Sequence, residues 1–159
     1  MKEPIDLFMH ELGDILYAER QVLKTLPKLV KEAGDGDLRE GLEGHIDETR
    51  TQISNIEQAF ALLGQKAKAE KCPGILGILK EHDDFVAQEK PSAEILNLFL
   101  TGAVLRTEHY EIAAYTSLIA QASSLDEPRV ASLLRQNLTQ EKRMAKRAET
   151  TGKRLAVTA

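Results

Sequence analysis

The sequence predicts an all-α protein, organised as a single four-helix-bundle domain over residues 1–159. Three observations predict this fold. Residues that lose little freedom in a helix, chiefly Ala, Leu, Glu, Lys and Gln, are abundant, and the β-branched runs typical of strands are missing. Apolar residues recur every three or four positions in four long segments. With 159 residues, 42% of them hydrophobic, the chain is long enough to bury one core without cross-links.

The first two long helices are predicted in the N-terminal part of the chain. The first extends from about Pro4 to Lys31, and because proline lacks a backbone donor we expect a kink or a break at Pro27. The glycine-acid run Gly34–Asp37 predicts a turn that caps the next helix, from about Asp37 to Leu63, and Gly64 is a natural stop. The first apolar stripe comprises Leu12, Ile15, Leu16, Val22, Leu23 and Leu26.

A short helix and two more long ones are predicted after a polar stretch. The short helix follows Pro73–Gly74 and covers about Ile75 to Gln88. Ser92 is a suitable cap for the third long helix. The fourth opens at Asp126–Pro128, and we expect it to fray near Gly152.

The lengths of the connections predict the topology. The links between the first and second long helices, and between the third and fourth, are short, so each pair should form an antiparallel hairpin. The link between the hairpins is long and contains the short helix. Two hairpins joined by one long crossover is the ferritin-like arrangement, and an up-down bundle with short loops fits less well.

Charge and cysteine content exclude several classes of function. The formal net charge of −4 argues against a nucleic-acid partner. The basic residues near the C-terminus are interpreted as a solvated face that complements the helix dipole. Cys72 is the single cysteine, so no internal disulfide is possible. Without a signal segment or an apolar run of about 18 residues, we expect a cytoplasmic protein with no membrane partner.

The most informative residues are polar side chains at positions where the helical pattern requires apolar ones. They are Glu19 on the first helix, His45 and Glu48 on the second, Glu108 and Glu111 on the third, and Glu141 on the fourth, accompanied by Gln52 and Asn137. Unpaired carboxylates in an apolar core cost several kcal/mol each or take up protons, and clustered ones repel each other. One or two divalent cations would remove both penalties, since carboxylate oxygens suit iron and manganese and imidazole suits iron and zinc. The i, i+3 spacing of each doubled pair lets one helix direct two ligands to one centre.

Each residue also has a simpler explanation when it is taken alone. Glu19 could be a tolerated residue at the edge of its stripe, and His45 a satisfied core histidine. Glu108 and Glu141 could form ion pairs with basic residues nearby. The coincidence of all of them at similar depth on four helices favours a metal site.

Several neighbouring residues are assigned outside the predicted ligand set. His109 points about 100° away from Glu108, which favours an outer or surface role. Tyr115, four residues after Glu111, could hydrogen-bond a ligand carboxylate. His10 and His82 lie toward helix margins and are left out of the site.

Four segments of the sequence resemble those of the YciF/YciE-type ferritin-like proteins, which are small bacterial proteins associated with stress responses. The segments are Tyr17-Ala-Glu19-Arg-Gln, His45-Ile-Asp-Glu48-Thr49, Glu108-His-Tyr-Glu111-Ile-Ala-Ala-Tyr115 and Gln140-Glu141-Lys142. The resemblance spans nearly the whole chain and includes the order of the segments. It implies a ferritin-like bundle, a homodimer, and a dinuclear centre of two iron or manganese ions per chain. The doubled glutamate on the third helix is similar to that of the rubrerythrins, which reduce peroxide at a di-iron site.

The sequence departs from the wider superfamily at two positions. Ferritin-like di-iron proteins usually carry Glu-x-x-His on helices two and four. Here Thr51 follows Glu48 at i+3, and Met144 follows Glu141 at i+3. A site with so few histidines favours manganese or weaker iron binding, or a centre that no longer has catalytic activity.

Three functions therefore stay open from the sequence. The first is an enzyme that reduces or dismutes peroxide or oxidises ferrous iron, with Glu48 and Glu141 as bridging ligands and Glu19, Glu108 and Glu111 as terminal ones. The second is a non-catalytic, dimeric stress protein that binds metal for stability or buffering. The third is a helical interaction module without metal.

Overall fold

The computed structural model describes residues 1–158, with side chains described for residues 1–157. Its described part contains five α-helices: α1 (Pro4–Glu32), α2 (Gly36–Leu62), α3 (Pro73–Glu89), α4 (Ala93–Ser124) and α5 (Pro128–Thr158). The prediction of an all-α fold with four long helices and one short one is confirmed. None of the helices in residues 1–158 is both long and apolar enough to cross a membrane.

Helices α1 and α2 form an antiparallel hairpin. The turn between them is short because Asp35 caps α2, its side chain accepting a hydrogen bond from Leu38 N–H at 3.0 Å. Farther along the hairpin Arg20 of α1 pairs with Glu57 of α2 at 2.9 Å. Residues early in α2 therefore face residues late in α1, as the predicted glycine-acid turn requires.

The segment between α2 and α4 returns along the length of the bundle. Gly64 adopts a φ of +69° directly after α2, a conformation that glycine reaches without strain. The crossover then passes so close to α1 that a Cβ on Gly13 would lie 2.6 Å from the carbonyl oxygen of Lys68. The first turns of α4 lie at the opposite end, beside the α1–α2 turn, where Asn97 Oδ1 accepts a hydrogen bond from Gly34 N–H at 2.7 Å. This is the predicted long crossover, with α3 inside it.

Helices α4 and α5 form the second antiparallel hairpin. Ser92 caps α4 through a hydrogen bond from Ile95 N–H at 3.4 Å, as predicted. The prediction that the last helix frays near Gly152 is wrong, because α5 continues to Thr158. Gly152 packs against Thr101 of α4, and Arg154 pairs with Asp35 at 2.9 Å, so the final turns are held by the bundle.

Of the kink or break predicted at Pro27, the break is absent from the described structure, since α1 is a continuous helix through this position. Pro27 removes only one backbone donor, and its side chain is exposed. Water can therefore hydrate the carbonyl that loses its partner, while Leu26 and Leu29 on either side are buried in the core.

The apolar core occupies both ends of the bundle and leaves a polar middle. One end packs Phe8, Leu12, Ile56, Phe60, Leu118, Val130 and Leu134, and the other packs Leu26, Leu38, Leu42, Leu100, Val104 and Ala148. These side chains stabilise the four helices by burial, at about 1.5–3 kcal/mol for each large residue. Because apolar contacts hold the helices together at both ends, they also fix the relative positions of the helices in the middle of the bundle, where the predicted site residues lie.

Candidate metal centre

Three of the four long helices, α2, α4 and α5, contribute to a buried polar group at the middle of the bundle. The ligand atoms of His45 on α2, Glu108 and Glu111 on α4, and Glu141 on α5 all lie within 4.8 Å of one another. We call these four residues the acidic group. Each is at most 1% exposed, so the group lies inside the bundle and away from solvent.

His45 faces the acidic group through one ring nitrogen. Its Nε2 lies 3.4 Å from Glu108 Oε1 and 3.9 Å from Glu141 Oε2. Its Nδ1 lies 3.3 Å from Oε2 of Glu48, which is one turn further along α2. The ring therefore lies between two inner carboxylates, those of Glu108 and Glu141, and one outer carboxylate, that of Glu48.

Glu48, a predicted ligand, lies at the margin of the centre. Its side chain is 23% exposed, and it pairs with Arg143 of α5 as well as with His45. The hydrogen bond from His45, together with the charge of Arg143, lowers the pKa of the Glu48 carboxyl. Glu48 therefore lies next to the acidic group, but His45 and Arg143 contact both of its carboxylate oxygens.

Glu19, the predicted ligand from α1, is fully buried on another side of the centre. Its Oε1 accepts a hydrogen bond from the hydroxyl of Tyr115, which the sequence predicted as a partner for a ligand carboxylate. Its Oε2 has no hydrogen-bond partner within the described residues. Glu19 therefore has one oxygen free for a cation.

Buried amides and a tyrosine form a second set of contacts beside the acidic group. We call Gln52, Asn55, Tyr115 and Asn137 the hydrogen-bonded layer. Asn137 Nδ2 donates to the Tyr115 hydroxyl at 3.1 Å and to the Gln52 carbonyl at 3.2 Å, and Asn55 Nδ2 donates to Asn137 Oδ1 at 2.8 Å. Gln52 Nε2 donates to Glu141 Oε1. These contacts fix the orientation of Glu141 and Glu19 from outside the acidic group.

The sequence pattern placed Gln52 and Asn137 on the inner stripes but did not predict Asn55. Asn55 lies three residues after Gln52, on the same helix face. That spacing is the only feature of the sequence that could have placed Asn55 inside the bundle, and it does not reveal that its partner is Asn137 on α5.

The acidic group has more buried acceptors than the protein has donors for it. In the described part of the chain, the side-chain atoms without a hydrogen-bond partner include Glu19 Oε2, His45 Nε2, Glu108 Oε2, both oxygens of Glu111, and Glu141 Oε2. Buried polar atoms in native proteins are nearly always paired, because each unpaired one costs about 1–3 kcal/mol. A cation among these atoms would satisfy them together, so the donor set fits a metal ion.

The protonation of the centre follows from its burial. Burial, reinforced by the neighbouring Glu141, raises the pKa of Glu19 and of Glu108 well above the usual value, and burial with Glu19 does the same for Glu111. Burial also raises the pKa of Tyr115, so its hydroxyl stays a donor. Without a cation the protonated forms of these carboxyls are favoured, and a cation must displace those protons when it binds.

The alternative ion pairs considered for these glutamates do not form in the described structure. Arg106 pairs with Glu81 at 3.1 Å instead of Glu108. Arg143 pairs with Glu48 instead of Glu141. Glu108 and Glu141 therefore have no arginine partner in the described part of the chain.

The remaining histidines lie outside the centre. His109 is exposed, as its direction on α4 predicted, and His10 is exposed as well. His82 is buried, unlike a residue at a helix margin, and its Nε2 lies 2.8 Å from Glu32 Oε2. It therefore joins α3 to α1, away from the acidic group.

Cys72 has a structural position at the start of α3. Its sulfur accepts a hydrogen bond from Ile75 N–H at 3.5 Å and lies 2.8 Å from the Tyr110 hydroxyl. Burial raises the pKa of the thiol. A buried thiol that holds its proton reacts slowly, so the position favours capping over redox sensing.

The two residues that depart from the Glu-x-x-His pattern differ in position. Thr51 is exposed, whereas Met144 is 4% exposed and lies in the groove between α2 and α5 beside His45. Neither offers a nitrogen ligand. His45 is therefore the one imidazole that the described residues bring to the centre.

Comparison with known proteins agrees with the resemblance seen in the sequence. The profile of the family described as a domain of unknown function, DUF892, matches residues 3–157. Protein YciF of Escherichia coli strain K12 is 32% identical over 143 residues, which is 89% of this chain and 86% of that protein.

Solved structures give the same result. The crystal structure of the E. coli stress protein YciF matches with a TM-score of 0.93 at 29% identity and covers 100% of both chains. YcfI from Rhodopseudomonas palustris matches with a TM-score of 0.91 at 38% identity over 94% of both chains. A protein of Xanthomonas campestris pv. campestris, at 21% identity and a TM-score of 0.79 over 98% of this chain and 95% of that one, shares the fold. By sequence and by structure, this chain belongs to the DUF892 family and is a homologue of the YciF stress protein.

Proposed function

We propose that this chain is a stress-response protein that binds iron or manganese in the acidic group. The observation that carries the proposal is the set of buried oxygens without partners, gathered with His45 Nε2 around one point. Three carboxylates and one imidazole are a hard donor set, which suits these metals better than soft ones. The role in stress is transferred from the relative that is described as a stress protein.

A second ion would extend the centre toward α1. Glu19 Oε2 and both oxygens of Glu111 have no hydrogen-bond partner among the described residues, and the neighbouring Glu19 adds to the effect of burial in raising the pKa of Glu111. We therefore propose that Glu19 and Glu111, together with Glu141, would hold it. This assignment keeps the predicted two ions per chain.

The activity that we propose is oxidation-reduction with peroxide or ferrous iron as the substrate. Iron and manganese supply a change of oxidation state in the bound centre, which no side chain here supplies. The protein's own residues position and isolate that centre. Gln52 orients Glu141, Tyr115 donates a hydrogen bond to Glu19, and the apolar ends of the bundle limit access of water.

A non-catalytic metal-binding protein is the second candidate, and Met144 favours it. An apolar side chain occupies the position where di-iron proteins place a histidine, so the centre has fewer nitrogen ligands. In this case metal would stabilise the fold without turnover. Turnover of peroxide or ferrous iron above the rate of free metal ions distinguishes the two candidates.

Elemental analysis of protein purified without chelator tests the proposal. We expect near-stoichiometric iron or manganese in the wild type and none in a Glu108→Gln/Glu141→Gln double variant. Glu43→Gln is the matched control, because Glu43 is an exposed glutamate on α2. Metal-free wild type that folds equally well in chelator would overturn the proposal and favour a helical interaction module.

Three other predictions accompany this proposal. The homodimer is implied by the family resemblance, and the molecular mass in solution tests it. A cytoplasmic location is expected from the sequence, and the net charge of −4 favours a protein with no nucleic-acid partner.

A further inference from the structure

We propose that Glu48 is a positioning residue for His45 and not a metal ligand, and that Arg143 holds the Glu48 carboxylate outside the centre. The inference rests on the proposed function, because it assigns the outer neighbours of the same acidic group. It differs from the sequence prediction, in which Glu48 is a bridging ligand.

The geometry of the His45 ring carries the inference. Nδ1 faces Glu48 Oε2 at 3.3 Å, and Nε2 faces Glu108 and Glu141 at 3.4 and 3.9 Å. A neutral imidazole has one N–H and one lone pair. When the N–H is at Nδ1 and is donated to Glu48, the lone pair at Nε2 points at the acidic group, where a cation would lie.

The surroundings of Glu48 separate it from the inner carboxylates. Its side chain is 23% exposed, and both of its oxygens have partners: Oε1 accepts from Arg143 and Oε2 faces His45. Glu108, Glu111 and Glu141 are at most 1% exposed, and each has at least one oxygen without a partner. Inner and outer carboxylates on the two sides of one imidazole therefore have different roles.

Arg143 fits the role of an anchor. It lies on α5, its side chain is 65% exposed, and it reaches across the groove to α2. Gly41 on α2 leaves room for the side chain of Arg147, which lies one turn after Arg143 and lines the same groove. An ion pair at this margin directs the Glu48 carboxylate outward, toward solvent.

A carboxylate that accepts from the far nitrogen of a ligating histidine fixes its tautomer, orients the ring and raises its basicity. Loss of such a partner typically weakens metal binding by roughly 10–100-fold and leaves the number of ligands unchanged. Loss of a true ligand instead removes an ion or changes the number bound. These two outcomes distinguish a positioning residue from a ligand.

Titration of the wild type and variants with manganese(II) chloride tests the assignment. We expect Glu48→Ala to weaken binding by roughly 10–100-fold with the same number of ions per chain. Arg143→Gln removes only the anchor of Glu48, so we expect it to weaken binding less than Glu48→Ala does. Glu43→Gln, at an exposed position of α2, is the matched control, and we expect it to change affinity less than about threefold. Fewer ions bound by Glu48→Ala would make Glu48 a ligand, and unchanged affinity would deny it any positioning role.

Nitrogen-15 NMR of the His45 ring supplies a second readout that needs no metal. In chelator at pH 8, we expect the proton at Nδ1 in the wild type and its redistribution to Nε2 in Glu48→Ala. Glu48→Gln should restore the wild-type tautomer, because an amide oxygen also accepts a hydrogen bond. The same tautomer in wild type and Glu48→Ala would overturn the inference. If the wild type binds no manganese, the proposed function fails while this readout still decides the role of Glu48.

Discussion

Two buried polar sets lie side by side in this bundle, and they differ in how their atoms are satisfied. In the hydrogen-bonded layer, Asn55 and Asn137 find partners on neighbouring helices within 2.8–3.2 Å. In the acidic group, at the same depth, both oxygens of Glu111 have no partner among the described residues. Apart from Gln52 Oε1, which has no hydrogen-bond partner among the described residues, the first set is satisfied within the fold. The second set is incomplete, which indicates that something outside the chain completes it.

Adding metal should have the largest effect on stability, because it would satisfy the acidic group and leave the hydrogen-bonded layer unchanged. At a free manganese(II) concentration about a thousand times the dissociation constant, we expect the free energy of unfolding to rise by about 4 kcal/mol. For a domain of this size, that is roughly 8–16 °C in melting temperature. Differential scanning calorimetry with and without chelator measures it, and the Glu108→Gln/Glu141→Gln variant should show no shift. A shift of equal size in that variant would place the metal elsewhere.

Damage to the hydrogen-bonded layer should destabilise the protein whether or not metal is present. Asn137→Leu removes the donor to Tyr115 and to the Gln52 carbonyl and leaves Asn55 Nδ2 without its acceptor. We expect a loss of about 2–3 kcal/mol in urea denaturation, because the partners stay buried. Gln136→Leu, at an exposed neighbouring position, is the control. A loss that appears only in the metal-bound form would mean that this layer also depends on the cation.

Replacing a buried polar residue of the acidic group by an apolar one should stabilise the metal-free protein, in contrast to the same replacement in the hydrogen-bonded layer. With chelator present, Glu111→Met replaces a fully buried carboxyl without partners by an apolar side chain of similar size. We expect the metal-free protein to gain about 1–3 kcal/mol of stability. Glu43→Met on the surface should change it by about 0.5 kcal/mol or less. Destabilisation by Glu111→Met in chelator would show that the carboxyl already has a partner.

The change of stability with pH should also differ between the metal-free and the metal-bound protein. Burial raises the pKa of Glu19, Glu108 and Glu111 in the folded protein, so the native state keeps protons that the unfolded state has lost. The stability that these carboxyls contribute to the metal-free protein is therefore greatest below the unfolded pKa of about 4.3 and falls as the pH rises, by about 1.4 kcal/mol per pH unit for each retained proton. Since metal binding displaces those protons, we expect metal to stabilise more as the pH rises. Melting temperatures between pH 5 and pH 8, with and without chelator, measure both trends, and parallel trends would contradict the assignment.

The smallest effect should come from the bundle surface. Arg20 and Glu57 pair at 2.9 Å, but their side chains are 45% and 46% exposed. Solvent and salt screen such a pair, so Arg20→Gln should cost about 1 kcal/mol or less. Urea denaturation at low and high salt checks this value, and a loss comparable to that of Asn137→Leu would contradict the view that burial sets these energies.

Helical periodicity made most of this fold predictable. The apolar stripes that include Leu12, Leu42, Leu105 and Leu134 predicted the four long helices, and the unequal link lengths predicted the crossover. Pro27 and Gly152 misled the prediction, because local preference ignores the packing that keeps a helix intact on an exposed proline or beside Thr101. Tertiary contacts decided both positions.

The inner residues of the candidate site were also predictable, whereas their pairings were not. Position along a helix is sufficient to place Glu108 or Glu141 inside the bundle. It cannot show that Arg143 reaches Glu48 instead of Glu141, since that depends on the length and direction of side chains from two helices. For the same reason, Asn55 was not predicted to bind Asn137.

Anomalous X-ray diffraction from crystals grown with manganese(II), recorded near the manganese edge, tests the central claim most directly. We expect an anomalous peak within coordination distance of His45 Nε2 and the carboxylates of Glu108, Glu111 and Glu141, with Glu48 outside that distance. A second peak beside Glu19 would establish the two-ion centre. An ordered acidic group with no peak, in protein that is otherwise folded as described, would contradict the claim that the centre is built for metal.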